Sequence, residues 1–257
     1  MPLTYPDYVF FRDHARSFSG ILAYDGDPEE IIWNRSGHGQ VLHGQLVSGN
    51  AFSVAGVDLA MGRAFTPADD QPTHPKPLVI LRHRFWKQRL GSDPDIIGKS
   101  IVLNGMKYDV IGVAQPEFTG FEVAMAPDFW APLSMVEQLV HDPGRLTSRN
   151  SNWLLTDGRL AAGQTTKSAQ AEMSVLAREL ELAHADTNKD MGETLFTFAP
   201  VPGPFRGYVT AFTGMLMVVF GLVLVIACTN AASLLMVKAT GRAREMAIRL
   251  KLEGWLR

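Results

Sequence analysis

The chain of 257 residues has a single cysteine, Cys228, so no intramolecular disulfide can form and the fold must rest on a packed core. The length permits one large domain or two small ones. Positive charge is not in excess: the net charge is −2, which excludes a general nucleic-acid binder. The opening, Met1-Pro-Leu-Thr-Tyr-Pro6, has no basic segment and no apolar run, so it is not a signal peptide. One stretch, Gly207–Val237, has no Asp, Glu, Lys, Arg or His at all.

Catalytic signatures are missing too. Gly98-Lys99-Ser100 resembles the end of a phosphate loop, but the glycine required five positions before Gly98 is Asp93, and Asp95 lies close by. Two carboxylates there repel phosphate, and the segment reads better as entry into a hairpin. The seven histidines form neither HExxH nor a Cys/His cluster; His38 and His43 are expected on the surface. There is no G-x-S-x-G elbow. The acid pairs Glu29-Glu30 and Asp69-Asp70 lie in turn-rich segments and are expected to be solvated. Phe85, Trp86, Phe118, Phe121, Phe129 and Trp130 are expected to serve as core. These readings imply a non-catalytic chain with no metal and no cofactor.

What is present is a membrane segment. Tyr208–Val237 is longer than the roughly 20 apolar residues that a helix needs to cross the hydrocarbon core. Gly214, Gly221 and Ser233 are small enough for close helix–helix approach, and Asn230 is polar at depth, so these four are expected to pack against other membrane helices. After the span come Lys238, Arg242, Arg244, Arg249 and Lys251, against Glu245 and Glu253, whereas Arg206 stands just before it. The positive-inside rule then places the C-terminus in the cytoplasm and the large N-terminal part outside. Three parts are predicted: 1–206 outside, 207–238 in the bilayer and 239–257 in the cytoplasm. An outer domain without a signal peptide implies an exporting segment upstream.

The outer part reads as mixed α and β. Thr4 is the expected N-cap of a helix with Pro6 and Asp7 in its first turn, Tyr8, Phe11, Ala15 and Phe18 on its apolar side, and Ser19-Gly20 as its end. Strands are expected at Glu30–Trp33, Val41–Val47, Leu78–Leu81 and Phe129–Pro132, and a short helix at Arg84–Leu90. Asn104-Gly105 between Ile101–Leu103 and Met106–Val113 specifies a tight hairpin. A helix is predicted from Ser168 to His184, capped by Thr165 or Thr166, with Ala169, Met173, Leu176, Ala177, Leu180 and Ala183 as its stripe. Thr194–Pro200 is read as extended. Beyond the span, Gly241–Leu250 is a short amphipathic helix with Ala243, Met246, Ala247 and Leu250 at i, i+3, i+4 and i+7. It suits either a headgroup-bound helix or a helix docked in a partner's groove.

Ile226–Asn230, Ala232–Leu235 and Arg244–Leu250 resemble the second membrane helix and following segment of MacB/FtsX-type ABC transporter permeases. Tyr5–Tyr8, Phe18–Gly20, Leu46–Asn50, Gly62–Thr66, Gly98–Gly105 and Val110–Val113 are similar to the MacB-like periplasmic core domain, above all in the permease group abundant in acidobacteria. The resemblance runs to about Leu252 and implies an α+β fold: a porter-like α/β subdomain with an inserted β-rich subdomain, followed by one transmembrane helix. It implies a non-catalytic permease of the inner membrane whose partners are an ATP-binding subunit, a second permease copy as homodimer, and the lipid bilayer. It assigns Arg244, Glu245, Met246, Ile248 and Arg249 to coupling with the ATPase. Such permeases have four membrane helices, and the end Glu253–Arg257 departs from the family. The chain is therefore expected to be a truncated permease that transports nothing alone. The alternative is a membrane-tethered interaction module without transport activity.

Overall fold

The computed structural model describes residues 2–35, 38–122, 126–189, 211–233 and 235–236. Contacts divide the chain into two units, Met1–Leu195 and Phe196–Arg257. The expected boundary at 206, the extended Thr194–Pro200 and the amphipathic Gly241–Leu250 lie outside the described residues.

Helix α1 spans Tyr5–His14 and starts as its sequence dictates: the Thr4 hydroxyl accepts the Asp7 N–H at 3.3 Å, and Pro6 sits in the first turn. It stops earlier than expected. Phe18 does not extend the helical stripe; it opens strand β1, Phe18–Asp25. Strands β2 (Glu29–Arg35) and β3 (His38–Val47) follow, then the one-turn helix α2 (Ala51–Ala55) and strand β4 (Leu59–Gly62). Next come β5 (Leu78–Leu81), α3 (His83–Arg89), β6 (Ser100–Leu103) and β7 (Met106–Ala114). The first unit's described part ends with β8 (Phe129–Pro132), α4 (Val136–Leu139), β9 (Leu154–Leu160) and α5 (Thr166–Ala183). Between β6 and β7, Asn104 and Gly105 take φ of 47° and 81°, the left-handed pair that a two-residue hairpin needs.

Six of these strands close on themselves. β2 pairs with β6, β6 with β7, β7 with β5, β5 with β8, β8 with β3, and β3 returns to β2. Closure removes strand edges that would otherwise need covering. Alternate residues point into the ring: Ile31, Trp33, Leu42, Val79, Leu81, Ile101, Leu103, Tyr108, Val110 and Phe129 belong to one buried cluster. Gly44 makes room there, because a Cβ at that position would lie 2.4 Å from the ring of Phe129 on the neighbouring strand. The opposite faces of β5 and β8 (Ile80, Trp130) join Phe52, Phe65 and Phe121 in a second, aromatic cluster. Phe85, Phe118, Phe121, Phe129 and Trp130 are thus core or packed on it, as their sequence context suggests.

The remaining layer holds the two ends of the domain together. β1 runs antiparallel to β9 from Phe18↔Leu160 to Asp25↔Leu154, and joins the ring through Tyr24↔Val47. One face of β1 (Ile21, Ala23) lies with α1 and α5 residues Tyr8, Phe11, Met173 and Leu176; the other (Leu22, Tyr24) lies with Phe52 of α2. Helix α5 buries the predicted stripe from Ala169 through Met173, Leu176 and Ala177 to Leu180, while Ala183, in its last turn, is exposed; it is capped by Thr165, whose hydroxyl accepts the Ser168 N–H at 3.1 Å.

In the second unit, helix α6 is described over Ala211–Ser233, 23 residues of mean hydropathy 2.6, and none of its apolar stretch is buried within the chain. It is long and apolar enough to cross a membrane.

Candidate functional site

On α6, Gly214 and Gly221 are seven residues apart and share one side, since 3.6 residues per turn leave them only about 20° out of line. Nothing lies within 4 Å of a Cβ built at either position. Asn230 falls on the far side, about 160° from Gly214 by the same count. The Ser233 hydroxyl donates to the Thr229 carbonyl at 2.8 Å, and Thr229 does the same to Val225 at 2.7 Å, so both are satisfied within the helix. The expected coupling residues Arg244, Glu245, Met246, Ile248 and Arg249 lie outside the described residues.

The Gly98-Lys99-Ser100 segment is committed to structure. The Lys99 ammonium pairs with Asp93 at 2.5 Å and the Ser100 hydroxyl donates to Asp109 at 2.7 Å. A groove of about 500 Å³ beside it is lined by Gly62, Leu78, Ile97 and Ile111, with Arg63 and Asp109 as its charged members. Both are engaged elsewhere, Arg63 with Asp69 and Asp109 with Ser100, so no pair of reactive groups converges there. No group of three His, Cys, Asp or Glu able to hold a metal occurs among the described residues. His38 and His43 are exposed.

The acid pairs depart from expectation. Asp69 is buried, with its carboxylate held by Arg63 at 2.7 Å, Lys76 at 3.2 Å and the Thr66 N–H and hydroxyl at 3.1 and 2.8 Å. Burial alone would favour its neutral form, but the two cations and Thr66 outweigh it and hold the carboxyl well below its ordinary range. Asp70 accepts the backbone N–H of Gly49 at 2.9 Å and of Ser134 at 2.7 Å, tying three distant segments together; burial nonetheless pushes its pKa up. These residues are clamps, because their partners come from positions 49, 63, 76 and 134, which no local reading of a turn could supply. Glu30 is exposed, as expected, but Glu29 is drawn into a second cluster. Arg145 lies 2.9 Å from Glu29, 3.7 Å from Asp25 and 3.6 Å from Asp142, with its guanidinium 4.3 Å from the centre of the Trp153 ring. Burial raises the Asp25 carboxyl to about 7 against the opposing Asp27 N–H and Arg145. Nearby, Arg149 pairs at 2.7 Å with Asp7, which is buried rather than merely facing the helix dipole.

One constellation was not singled out in the sequence. Arg82, Arg84 and Arg89 surround a polar cleft at α3. The signal was available: Gln71–Ser92 has Lys76, Arg82, Arg84, Lys87 and Arg89 and no acid, in a chain whose net charge is negative.

Comparison with known proteins accounts for the fold. Three solved structures share it: the periplasmic region of MacB from Actinobacillus actinomycetemcomitans (TM-score 0.54, 16% identity, 73% of this chain and 78% of that one); the extracellular domain of the noncanonic ABC-type transporter YknZ from Gram-positive bacteria (0.52, 16%, 72% and 85%); and a domain of a protein described as a permease, from Porphyromonas gingivalis (0.56, 12%, 78% and 86%). No curated protein matches the chain. The profile of the MacB-like periplasmic core domain matches residues 2–176, which spans α1 through the first half of α5 and takes in both the closed ring and the β1–β9 layer. The chain therefore belongs to the MacB-like periplasmic core domain family.

Proposed function

We propose that the chain acts as the permease side of an ABC transporter of the MacB/FtsX type, transmitting ATP-driven conformational change to an extracytoplasmic domain and doing no chemistry itself. The observation that carries this reading is the joint presence of a MacB-like periplasmic core domain over residues 2–176 and a helix at Ala211–Ser233 fit to cross a membrane. Three parts are assigned: 1–206 outside, 207–238 in the bilayer and 239–257 in the cytoplasm. The orientation rests on the basic residues after the span. Arg244, Glu245, Met246, Ile248 and Arg249 form the face that an ATP-binding subunit grips, and Gly214, Gly221, Asn230 and Ser233 meet other membrane helices, including those of a second permease copy. Work is done by biasing two arrangements of the outer domain, with nucleotide bound on the partner.

Co-purification tests the coupling face. When the full chain is co-expressed with an ATP-binding subunit of this transporter type, the subunit is recovered with it, and Met246→Asp abolishes recovery by placing a charge in the apolar stripe. Undiminished recovery with Met246→Asp removes the coupling assignment.

A further inference from the structure

We infer that the α3 cleft is a binding site for a phosphate-class dianion, a phosphomonoester held among Arg82, Arg84 and Arg89; this goes beyond the permease reading and does not depend on it. The cleft measures about 190 Å³ and is lined by the three arginines with Phe85, Gln88 and Asp128. Each guanidinium has five N–H donors. The bonds they make go to neutral oxygens: Arg82 to the Ala126 carbonyl at 3.3 Å, Arg84 to the Gln88 side chain at 3.1 Å, and Arg89 to the Gln40 side chain at 2.6 Å. A fourth guanidinium, Arg35, donates to the backbone carbonyl of Arg89. Among the described residues none of these four forms an ion pair, whereas Arg12, Arg63, Arg145, Arg149 and Arg178 each sit on a carboxylate.

The charge in this cleft is therefore uncompensated. Asp128 is the single acid of the lining, and one of its oxygens already accepts the His43 N–H at 3.1 Å. Three guanidiniums less one carboxylate leave a charge of two positive. A phosphomonoester carries about −1.5 to −2 at neutral pH and offers three acceptor oxygens, so it neutralises the cleft, whereas a carboxylate does not. Planar guanidinium forks suit phosphate oxygens. The volume is about six times the ~30 Å³ share of one water, enough for a phosphate and the first atoms of the group that it esterifies. Free phosphate and a lipid headgroup present the same chemistry.

Calorimetric titration of the full chain, in phosphate-free detergent at low salt, tests the site. The probes are inorganic phosphate, glycerol phosphate and a short-chain phosphatidic acid below its micelle concentration. Saturable binding of phosphate or glycerol phosphate is expected, weakened about tenfold by Arg84→Gln or Arg89→Gln, the loss of one charge-assisted contact. Asp128→Asn, whose side-chain oxygen can still accept from His43, is expected to tighten binding severalfold. Phosphatidic acid binding at least tenfold tighter than glycerol phosphate assigns a lipid source, and equal affinity assigns a soluble one. The absence of binding by all three probes overturns the site, as does binding that Arg84→Gln and Asp128→Asn leave unchanged while circular dichroism shows both folded.

Discussion

Two charge clusters, each built around one buried acid, are balanced in opposite ways. At one, a single guanidinium, Arg145, serves three carboxylates, Asp25, Glu29 and Asp142. At the other, a single carboxylate, Asp69, serves two cations, Arg63 and Lys76, with Thr66 as a further donor. The first pins the segment around Arg145 to β1 and β2, and the second folds the connection between β4 and β5 onto itself. They differ in which sign is in surplus, and so in which pH favours them. In the acid-rich cluster burial raises the Asp25 carboxyl to about 7, which one guanidinium shared among three acids does not reverse; in the cation-rich cluster Arg63, Lys76 and Thr66 outweigh burial and keep Asp69 ionised far into acid.

Removing the shared member is the harshest way to break the comparison. Arg145→Ala leaves Asp25 and Glu29 without their cation and strips the Trp153 ring of its guanidinium, and is expected to cost about 3–5 kcal/mol. Chemical denaturation at pH 7 measures it; a loss below one-third of that range would mean that the cluster is solvated. Next in size is the pH dependence. Asp25 has a folded pKa of about 7 against an ordinary 3.8, so the unfolded chain releases this proton first and the contribution to stability falls as pH rises from about 4 to about 7. Asp25→Asn, which can still accept the Asp27 N–H, is expected to remove that decline and to raise the melting temperature at pH 7. Asp69→Asn acts in the other window. Its contribution is complete above the ordinary value and lost as pH falls through the lowered one, so the variant loses stability at neutral pH and converges on the wild type in acid. Melting curves between pH 2 and 8 compare the two, and parallel profiles for the variants would sink the contrast. The smallest effect belongs to Lys76→Met, because the ammonium is half exposed and Arg63 remains: about 0–1 kcal/mol, further reduced by salt.

Where partners are local, the sequence could be read. Thr4, Pro6 and Asp7 begin α1, Asn104-Gly105 turns the hairpin, Thr165 starts α5, and the charge-free run contains α6. Strand β1 escaped because Ile21-Leu-Ala-Tyr24 is buried on both faces, which erases the alternation that marks a strand. β9 escaped because Thr156-Asp-Gly158 has weak strand character and is held there by its pairing with the distant β1. The closed ring could not be inferred at all, since it depends on pairings between residues as distant as Trp33 and Leu103. Part of the Asp69 clamp was readable: Thr66-Pro-Ala-Asp69 has the Ser/Thr-x-x-acid spacing of a capping box, and a solvated acid was the wrong inference from it. The expected coupling face remains a proposal from family likeness.

The pairing of β1 with β9 sets how this domain bears load. Its first rung, Phe18 with Leu160, is reinforced by the Ala161 N–H donating to the Ser17 carbonyl at 2.9 Å, and the chain enters and leaves the layer at that same rung. A tensile pull on α1 and α5 therefore meets the ladder from its end, one hydrogen bond at a time, as a zipper. Glu172 of α5 reinforces that end, accepting the backbone N–H groups of Arg16 and Ser17 at 2.8 and 2.7 Å, so the first step of parting breaks this clamp and one rung rather than all seven pairs at once.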